Sequence, residues 1–143
     1  MRLRKRYFWP VFLTAAVLLG WKFGYQSALK YFFRVSGTVT VSEGLLPGLP
    51  GANSMLFIVA RNEGGVPVAV RKVINPVFPY EFELTSSSLI MPDLLTRRLY
   101  LEAALNTHGR LEDPKKGDLK GARSENSYFI SKGQDIVLDG RQD

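Results

Sequence analysis

The chain has 143 residues, of which 45% are hydrophobic and 22% charged, so it is long enough for one compact domain and too apolar for wholesale disorder. It contains no cysteine, which excludes disulfides, thiol catalysis and metal sites built on thiolates. The net charge of +6 resembles that of a nucleic-acid-binding protein. However, residues 1–34 hold seven basic side chains and no acid, whereas residues 35–143 hold 12 basic and 13 acidic ones. The basic excess therefore belongs to the first segment, and no nucleic-acid partner is predicted.

The first segment has the arrangement of a signal-anchor. A basic cluster at residues 2–6 precedes an uncharged run of 15 residues from Tyr7 to Trp21. A spanning helix needs roughly 17–25 residues, and the run reaches Tyr25 if Lys22 extends its ammonium group to the bilayer surface. Basic and aromatic side chains are favoured at the interfaces of a bilayer. The predicted membrane-interface residues are Arg4, Lys5, Arg6, Trp9, Trp21, Lys22 and Tyr25.

Charge asymmetry also predicts the topology. The positive-inside rule places residues 1–6 in the cytoplasm as a basic tail and residues 35–143 on the other side as a folded domain. Residues 7–33 then form the transmembrane helix with a juxtamembrane extension. Tyr31, Phe32 and Phe33 are interpreted as a short aromatic linker, and the alternatives are a position on the membrane surface and packing on the domain.

Two alternatives to an anchor remain, a cleaved signal peptide and an amphipathic helix on the membrane surface. Cleavage after Ala28 is disfavoured because Gln26 occupies a position that calls for a small residue. A surface helix is disfavoured because the run from Val11 to Gly20 is apolar on all faces.

The remaining residues show short apolar runs separated by breakers at close intervals, which is typical of β-strands. The run from Met55 to Arg61 is continuously apolar, as in a central strand covered on both faces. A turn at residues 62–65 predicts a hairpin with the following run. Residues 110–126 are charged and predict a long loop. The seven predicted strands are 35–41, 55–61, 67–74, 80–84, 99–105, 128–130 and 135–138.

These elements predict a mostly β fold, an antiparallel β-sandwich of about seven short strands preceded by one transmembrane helix. Its predicted core side chains alternate along the strands. They are Val39, Val41, Leu56, Ile58, Val70, Phe82, Leu84, Leu101, Ile130, Ile136 and Leu138.

No constellation for catalysis is recognised in the sequence, so the chain is not predicted to be an enzyme. His108, the single histidine, lies beside a glycine and is interpreted as an exposed turn residue. Glu81 and Glu83 share one face of a strand and are interpreted as solvated charges on an edge strand. The acidic residues between 112 and 125 match no calcium-binding loop, and lysines lie among them. Neither a metal nor a cofactor is predicted.

Several segments together resemble one protein family. They are Leu56-Phe-Ile-Val-Ala-Arg61, the turn Gly64-Gly65-Val-Pro67, Phe78-Pro79-Tyr-Glu-Phe-Glu-Leu84, the run Leu101-Glu-Ala-Ala-Leu-Asn-Thr-His-Gly109, and Pro114-Lys-Lys-Gly117-Asp118-Leu119-Lys-Gly121. In this order and spacing they are similar to the C-terminal periplasmic β-domain of the cytochrome c maturation protein that carries tetratricopeptide repeats. The 143 residues contain no such repeat.

The resemblance implies a periplasmic domain, held at a bacterial inner membrane, that works with c-type cytochromes or haem-ligation subunits. It transfers no catalytic residue. The predicted function is a non-catalytic binding or assembly module with integral-membrane or periplasmic protein partners. A permanent single-span accessory subunit of a respiratory or other envelope complex is the alternative. The predicted interaction surface consists of Leu89, Ile90, Met91, Pro114, Gly117, Asp118, Leu119 and Gly121, and for the first three an apolar plug at one end of the sandwich is the alternative.

Overall fold

One long helix leads directly into a β-sandwich. The computed structural model describes residues 4–143, with side chains from Phe8 onward. Helix α1 spans Arg4–Phe32, and strand β1 begins two residues later at Arg34. Pro10 lies inside the first two turns of α1. A single residue, Phe33, therefore separates the helix from the first strand.

Residues 4–143 contain ten strands, and the longer ones correspond to short apolar runs of the sequence. Glycine, proline and asparagine interrupt these runs and leave the turns between them. The strands are β1 Arg34–Val41, β2 Met55–Arg61, β3 Pro67–Ile74, β4 Tyr80–Thr85, β5 Arg98–Asn106, β6 Leu119–Ala122, β7 Ser127–Tyr128, β8 Ile130–Ser131, β9 Ile136–Leu138 and β10 Gly140–Arg141.

The strands form two sheets. In the first sheet β1 lies at the centre, with β4 antiparallel on one side and β8 and β9 both parallel on the other. In the second sheet the order is β10-β6-β5-β2-β3, all antiparallel neighbours, and β7 pairs with the start of β5. The predicted mostly β sandwich with one preceding helix is confirmed.

The sandwich departs from the prediction in two details. The parallel pairs of β1 make the first sheet mixed rather than wholly antiparallel. The predicted strand 128–130 is divided at Phe129, because β7 pairs with β5 in one sheet and β8 pairs with β1 in the other. The Phe129 backbone bonds to both sheets: its N–H donates to Arg97 O at 2.9 Å, and its carbonyl accepts from Arg34 N at 2.8 Å.

Strand β6 was not predicted, since its sequence Leu-Lys-Gly-Ala lies in a charged stretch. Leu119 and Gly121 face the interior, while Lys120 and Ala122 are exposed, so four residues suffice for one strand of the sheet. Strand β2 behaves as predicted. It is flanked by β3 and β5, and Phe57 and Val59 on its second face are buried as well.

The predicted core is largely confirmed. Eight of the predicted side chains are buried, namely Val39, Leu56, Ile58, Phe82, Leu84, Leu101, Ile136 and Leu138. Three side chains are less buried than predicted. Val41 and Val70 are only partly buried, and Ile130 is 54% exposed. Val70 lies opposite Val59 on the outer face of the second sheet, and Ile130 belongs to a two-residue strand that has no covering layer.

Strand register defines two ends of the sandwich. The helix-proximal end holds the start of β1, the end of β4 at Thr85 and the end of β2 at Arg61, where α1 and residues 86–97 also lie. The helix-distal end holds Met55, Asn106 and the loop of residues 107–118. Seven residues of β2 separate these ends by about 20 Å.

Gly121 allows the two sheets to approach each other closely. A Cβ atom at this position would lie 1.9 Å from the carbonyl oxygen of Val137, which is backbone and has no room to move aside. We therefore expect Gly121→Ala to lower the free energy of unfolding by about 1–3 kcal/mol through overpacking. Thermal unfolding of the full chain in detergent, followed by circular dichroism, measures this loss.

Gly44→Ala is the matched control, because no heavy atom lies within 4 Å of its added Cβ. Equal stability of the two variants would contradict the close approach of the sheets at Gly121.

Candidate functional site

The junction between α1 and the sandwich is built from one face of the last two helical turns. Leu29 and Phe33 are buried in the core of the sandwich. Gln26 Nε2 donates a hydrogen bond to the carbonyl oxygen of Asp93 at 2.9 Å, and the Lys30 ammonium pairs with the Asp93 carboxylate. The helix is therefore seated against the domain and does not hang from a free linker.

The linker interpretation was wrong for Phe33, which is 2% exposed and packs on the domain as the alternative predicted, whereas Tyr31 and Phe32 are exposed. Phe33 is buried because it directly follows α1 and continues the helix face that contacts the domain. Positions 26, 29, 30 and 33 follow the i, i+3, i+4, i+7 spacing of a single helix face, so the side chains that point at the domain recur along one stripe. That spacing is present in the sequence. Leu29 was not predicted as a contact residue because, in an apolar helix, an apolar side chain does not distinguish contact with the domain from contact with lipid.

The predicted contact residues 89–91 lie at the helix-proximal end. Leu89 forms a bridge with Ala69 of β3 and packs against the core, which agrees with the alternative of an apolar plug for this residue. The backbone N–H groups of Ile90 and Met91 both donate to Val68 O, at 2.8 and 3.2 Å. Their side chains are about half exposed and remain available for contact.

The helix-distal loop is folded around a carboxylate. Asp118 Oδ2 lies 2.7 Å from His108 Nε2 and accepts the backbone N–H of Lys115 at 2.8 Å. The backbone N–H of Arg110 donates to His108 Nδ1 at 3.3 Å, so the neutral ring carries its proton on Nε2 and donates it to Asp118. Both side chains are at most 15% exposed. His108 is therefore not an exposed turn residue, since the loop folds back and covers it.

The remaining predicted contact residues are divided by burial. Pro114 and Gly117 are exposed at the helix-distal end. Asp118, Leu119 and Gly121 are buried, because Asp118 organises the loop and the other two belong to β6. Their side chains are not available to a partner. The expected single surface is thus two separate regions, one at each end of the sandwich.

A groove lies on the outer face of the second sheet beneath the helix-distal loop. It has a volume of about 520 Å³. Small side chains of β5 and β6, including Ala104 and Ala122, form its floor, and Leu111 and Pro114 of the loop form one wall. Arg61 and Glu102 pair at 2.6 Å along its edge. The groove is therefore apolar at its base and charged at its rim.

A second groove, of about 630 Å³, lies on the first sheet and contains Glu81, Glu83 and Arg71. Glu83 pairs with Arg34, and Glu81 is exposed. Among residues 4–143, His, Asp and Glu form no group of three or more that is suited to hold a metal ion.

The predicted membrane-interface residues lie along α1. Trp9, Trp21, Lys22 and Tyr25 are exposed on the helix surface. The side chains of Arg4, Lys5 and Arg6 lie outside the described side chains. Ala16, Gly20, Gly24 and Ala28 recur every four residues along the same helix, a small-residue pattern found where membrane helices approach closely.

Comparison with known families identifies the sandwich. A sequence profile of the cytochrome c-type biogenesis protein H Ig-like domain matches residues 35–139. The chain belongs to this family. The matched range begins at the second residue of β1 and ends beyond β9, so the Ig-like domain is the sandwich and α1 precedes it.

A relative from Aquifex aeolicus (strain VF5), described as an uncharacterized protein, is 36% identical over 93 residues. The match covers 61% of this chain and 59% of the relative, so the chain spans about three fifths of that protein's length. No solved structure matches. Membership of the Ig-like domain family supports an involvement in c-type cytochrome maturation.

Burial of Phe33 dominates the junction between α1 and the Ig-like domain. We expect Phe33→Ala to lower the free energy of unfolding by about 3–5 kcal/mol, because a fully buried ring is replaced by a cavity. The neighbouring Phe32→Ala is the matched control, since that ring is 57% exposed. Chemical unfolding of the full chain compares the two, and similar losses would contradict the seating of the helix.

Asp118 is expected to hold the helix-distal loop of the Ig-like domain. Asp118→Ala removes the acceptor for two hydrogen bonds and should cost about 1–3 kcal/mol, because a buried donor is left unpaired. Hydrogen exchange at the Lys115 amide should accelerate. Asp113→Ala, at an exposed position of the same loop, should leave that amide unchanged. An unchanged Lys115 amide in Asp118→Ala would show that the loop is held by other contacts.

Proposed function

We propose that this chain is a membrane-anchored, non-catalytic binding or assembly module that acts in c-type cytochrome maturation. The observation that carries this proposal is the match of the Ig-like domain family over residues 35–139. The sandwich offers grooves and loops of the kind that bind protein segments. Such a domain acts through the surface residues that it places next to a partner.

The helix supports an anchor at the bacterial inner membrane. The helix from Phe8 to Phe32 is long and apolar enough to cross a bilayer. The sandwich covers no residue in the most apolar part of this span. The basic residues 2–6 favour a cytoplasmic start, and the sandwich then lies in the periplasm.

The groove beneath the helix-distal loop is the proposed partner site. Strand β1 has eight residues and runs away from the helix, so the distal end stands about 23 Å beyond the junction. At that height it faces periplasmic domains of membrane-bound partners. The proposed occupants are apolar segments of c-type cytochromes or of haem-ligation subunits.

Native co-purification tests the proposal. The tagged full chain, extracted from its own membranes in mild detergent, is expected to recover a c-type cytochrome or a haem-ligation subunit. Recovery of neither, under conditions that keep other membrane complexes intact, would count decisively against a role in cytochrome maturation.

A pair of bulky substitutions tests the groove itself. Ala122→Trp fills the groove, because Ala122 is exposed on its floor, and should reduce partner recovery at least severalfold. Ser124→Trp adds the same side chain at an exposed position that does not line the groove. Equal recovery by both variants would move the partner site elsewhere on the domain.

A permanent accessory subunit of a respiratory or other envelope complex is the second candidate. It is favoured by the exposed aromatic side chains of α1, among them Phe8, Trp9, Phe12 and Trp21, which suit packing against neighbouring helices as well as lipid. Stoichiometry separates the candidates. A subunit co-purifies at a fixed ratio with the mature complex, whereas an assembly factor is substoichiometric.

A further inference from the structure

Exposed apolar side chains lie on the segments of the sandwich next to the end of α1. Gln26 contacts the backbone of Asp93 on one side of the helix, and β1 pairs with Ile130 on the other. The Phe129 N–H bonds to Arg97 O, which joins these two segments. We call this surface the collar. It consists of Phe32, Ile90, Met91, Leu94, Tyr128 and Ile130, each between 46% and 57% exposed.

The collar also carries uncompensated positive charge. Arg97, Arg98 and Lys132 are exposed, and within the described part of the chain none of them has a carboxylate within 4 Å. Of the acids at this end, Asp93 pairs with Lys30, Glu83 with Arg34 and Glu125 with Arg123, and Glu63 is exposed.

Helix length sets the level of the collar relative to a bilayer. The 20 residues from Tyr7 to Gln26 form about 30 Å of helix, which equals the thickness of the hydrocarbon core. The bilayer surface then falls at Gln26, the first residue of α1 that contacts the domain. Leu94 lines a cleft with Tyr25 and Leu29 at this level.

The junction does not allow the domain to move away from the end of α1. One residue lies between α1 and β1, and that residue, Phe33, is buried together with Leu29. Raising the collar out of the interface would therefore require both side chains to leave the core. Exposed apolar groups rimmed by arginine match the interfacial zone of a membrane, where amphipathic contact and anionic headgroups coincide.

We infer that the collar lies in the headgroup region of the bilayer, with Arg97 and Arg98 binding anionic phospholipid, so that the sandwich rests on the membrane at a fixed orientation. This inference depends on the proposed anchoring of α1. The occupant of the collar is thus a lipid surface, and the helix-distal end remains free for a protein partner.

The absence of cysteine allows a direct test in the full chain. Leu94→Cys and Ile130→Cys each receive an environment-sensitive fluorophore, and the protein is reconstituted in vesicles of phosphatidylcholine with 30% phosphatidylglycerol. Both labels should be quenched by lipids that carry a spin label near the headgroup. Val77→Cys is the control, since Val77 is 80% exposed and follows β3 at the helix-distal end.

The outcomes separate the collar from the anchor. Trp9 and Trp21 are the two tryptophans and both lie in α1, so quenching of their fluorescence by lipid reports insertion of the helix itself. Lipid quenching of tryptophan without quenching at Leu94→Cys and Ile130→Cys would overturn the collar inference and leave the anchor intact. That pattern would indicate a collar in water or one covered by protein. Absence of tryptophan quenching would overturn both.

Headgroup selectivity tests the arginines. Spin-labelled phosphatidylglycerol should quench the Leu94→Cys label more strongly than spin-labelled phosphatidylcholine at equal mole fraction, by up to about fivefold for each arginine. The preference should disappear in Arg97→Gln/Arg98→Gln and persist in Lys115→Gln/Lys116→Gln, whose lysines are exposed at the helix-distal end. Equal quenching by both lipids in the unaltered protein would overturn the anionic-lipid contact.

Discussion

Insertion of Leu29 and Phe33 into the core of the sandwich is the contact on which the rest of the architecture depends. Because Leu29 comes from the last turn of α1 and Phe33 directly follows the helix, the helix and the domain share one hydrophobic core. The orientation of both sheets, the position of the collar and the height of the helix-distal loop all follow from that shared core. If a flexible linker joined the helix to the domain, the orientation of the sheets, the position of the collar and the height of the loop would all vary.

Apolar packing, not charge, gives the junction its stability. The Lys30–Asp93 pair is visible in the structure, but the Asp93 side chain is 86% exposed, and exposed pairs contribute little after solvent screening. Two fully buried side chains contribute several times more. The ion pair and the Gln26 hydrogen bond set the rotational register of the helix against the domain, while the apolar contacts hold it there.

Much of the fold was predictable because short apolar runs bounded by turn residues indicate strands. The hairpin of β2 and β3 follows from the turn at residues 62–65, and the alternation in β4 correctly placed Phe82 and Leu84 in the core. β6 escaped prediction because only two of its residues face inward, so a four-residue strand within charged sequence has no detectable period.

The candidate sites were harder to predict, for a different reason. Asp118 and Pro114 belong to one loop, yet one is buried and the other exposed, and no local pattern distinguishes them. The partnership of His108 and Asp118 joins residues ten apart through a loop whose path the sequence does not specify. The family resemblance, by contrast, was visible because it rests on the order of many short segments and not on the environment of any one residue.

The pairing of β1 has a consequence for the order in which the domain folds. Arg34 lies beside Ile130 and Val39 beside Ile136, so the first strand of the sandwich is completed by residues almost one hundred positions later. Contacts of such long sequence separation form late, because the intervening chain must first be brought together. Until residues 136–138 arrive, one edge of β1 stays unpaired and Leu29 and Phe33 face an unfinished core. During synthesis the domain therefore has an open strand edge along β1, which is the stage at which a chaperone or a misdirected strand would find it.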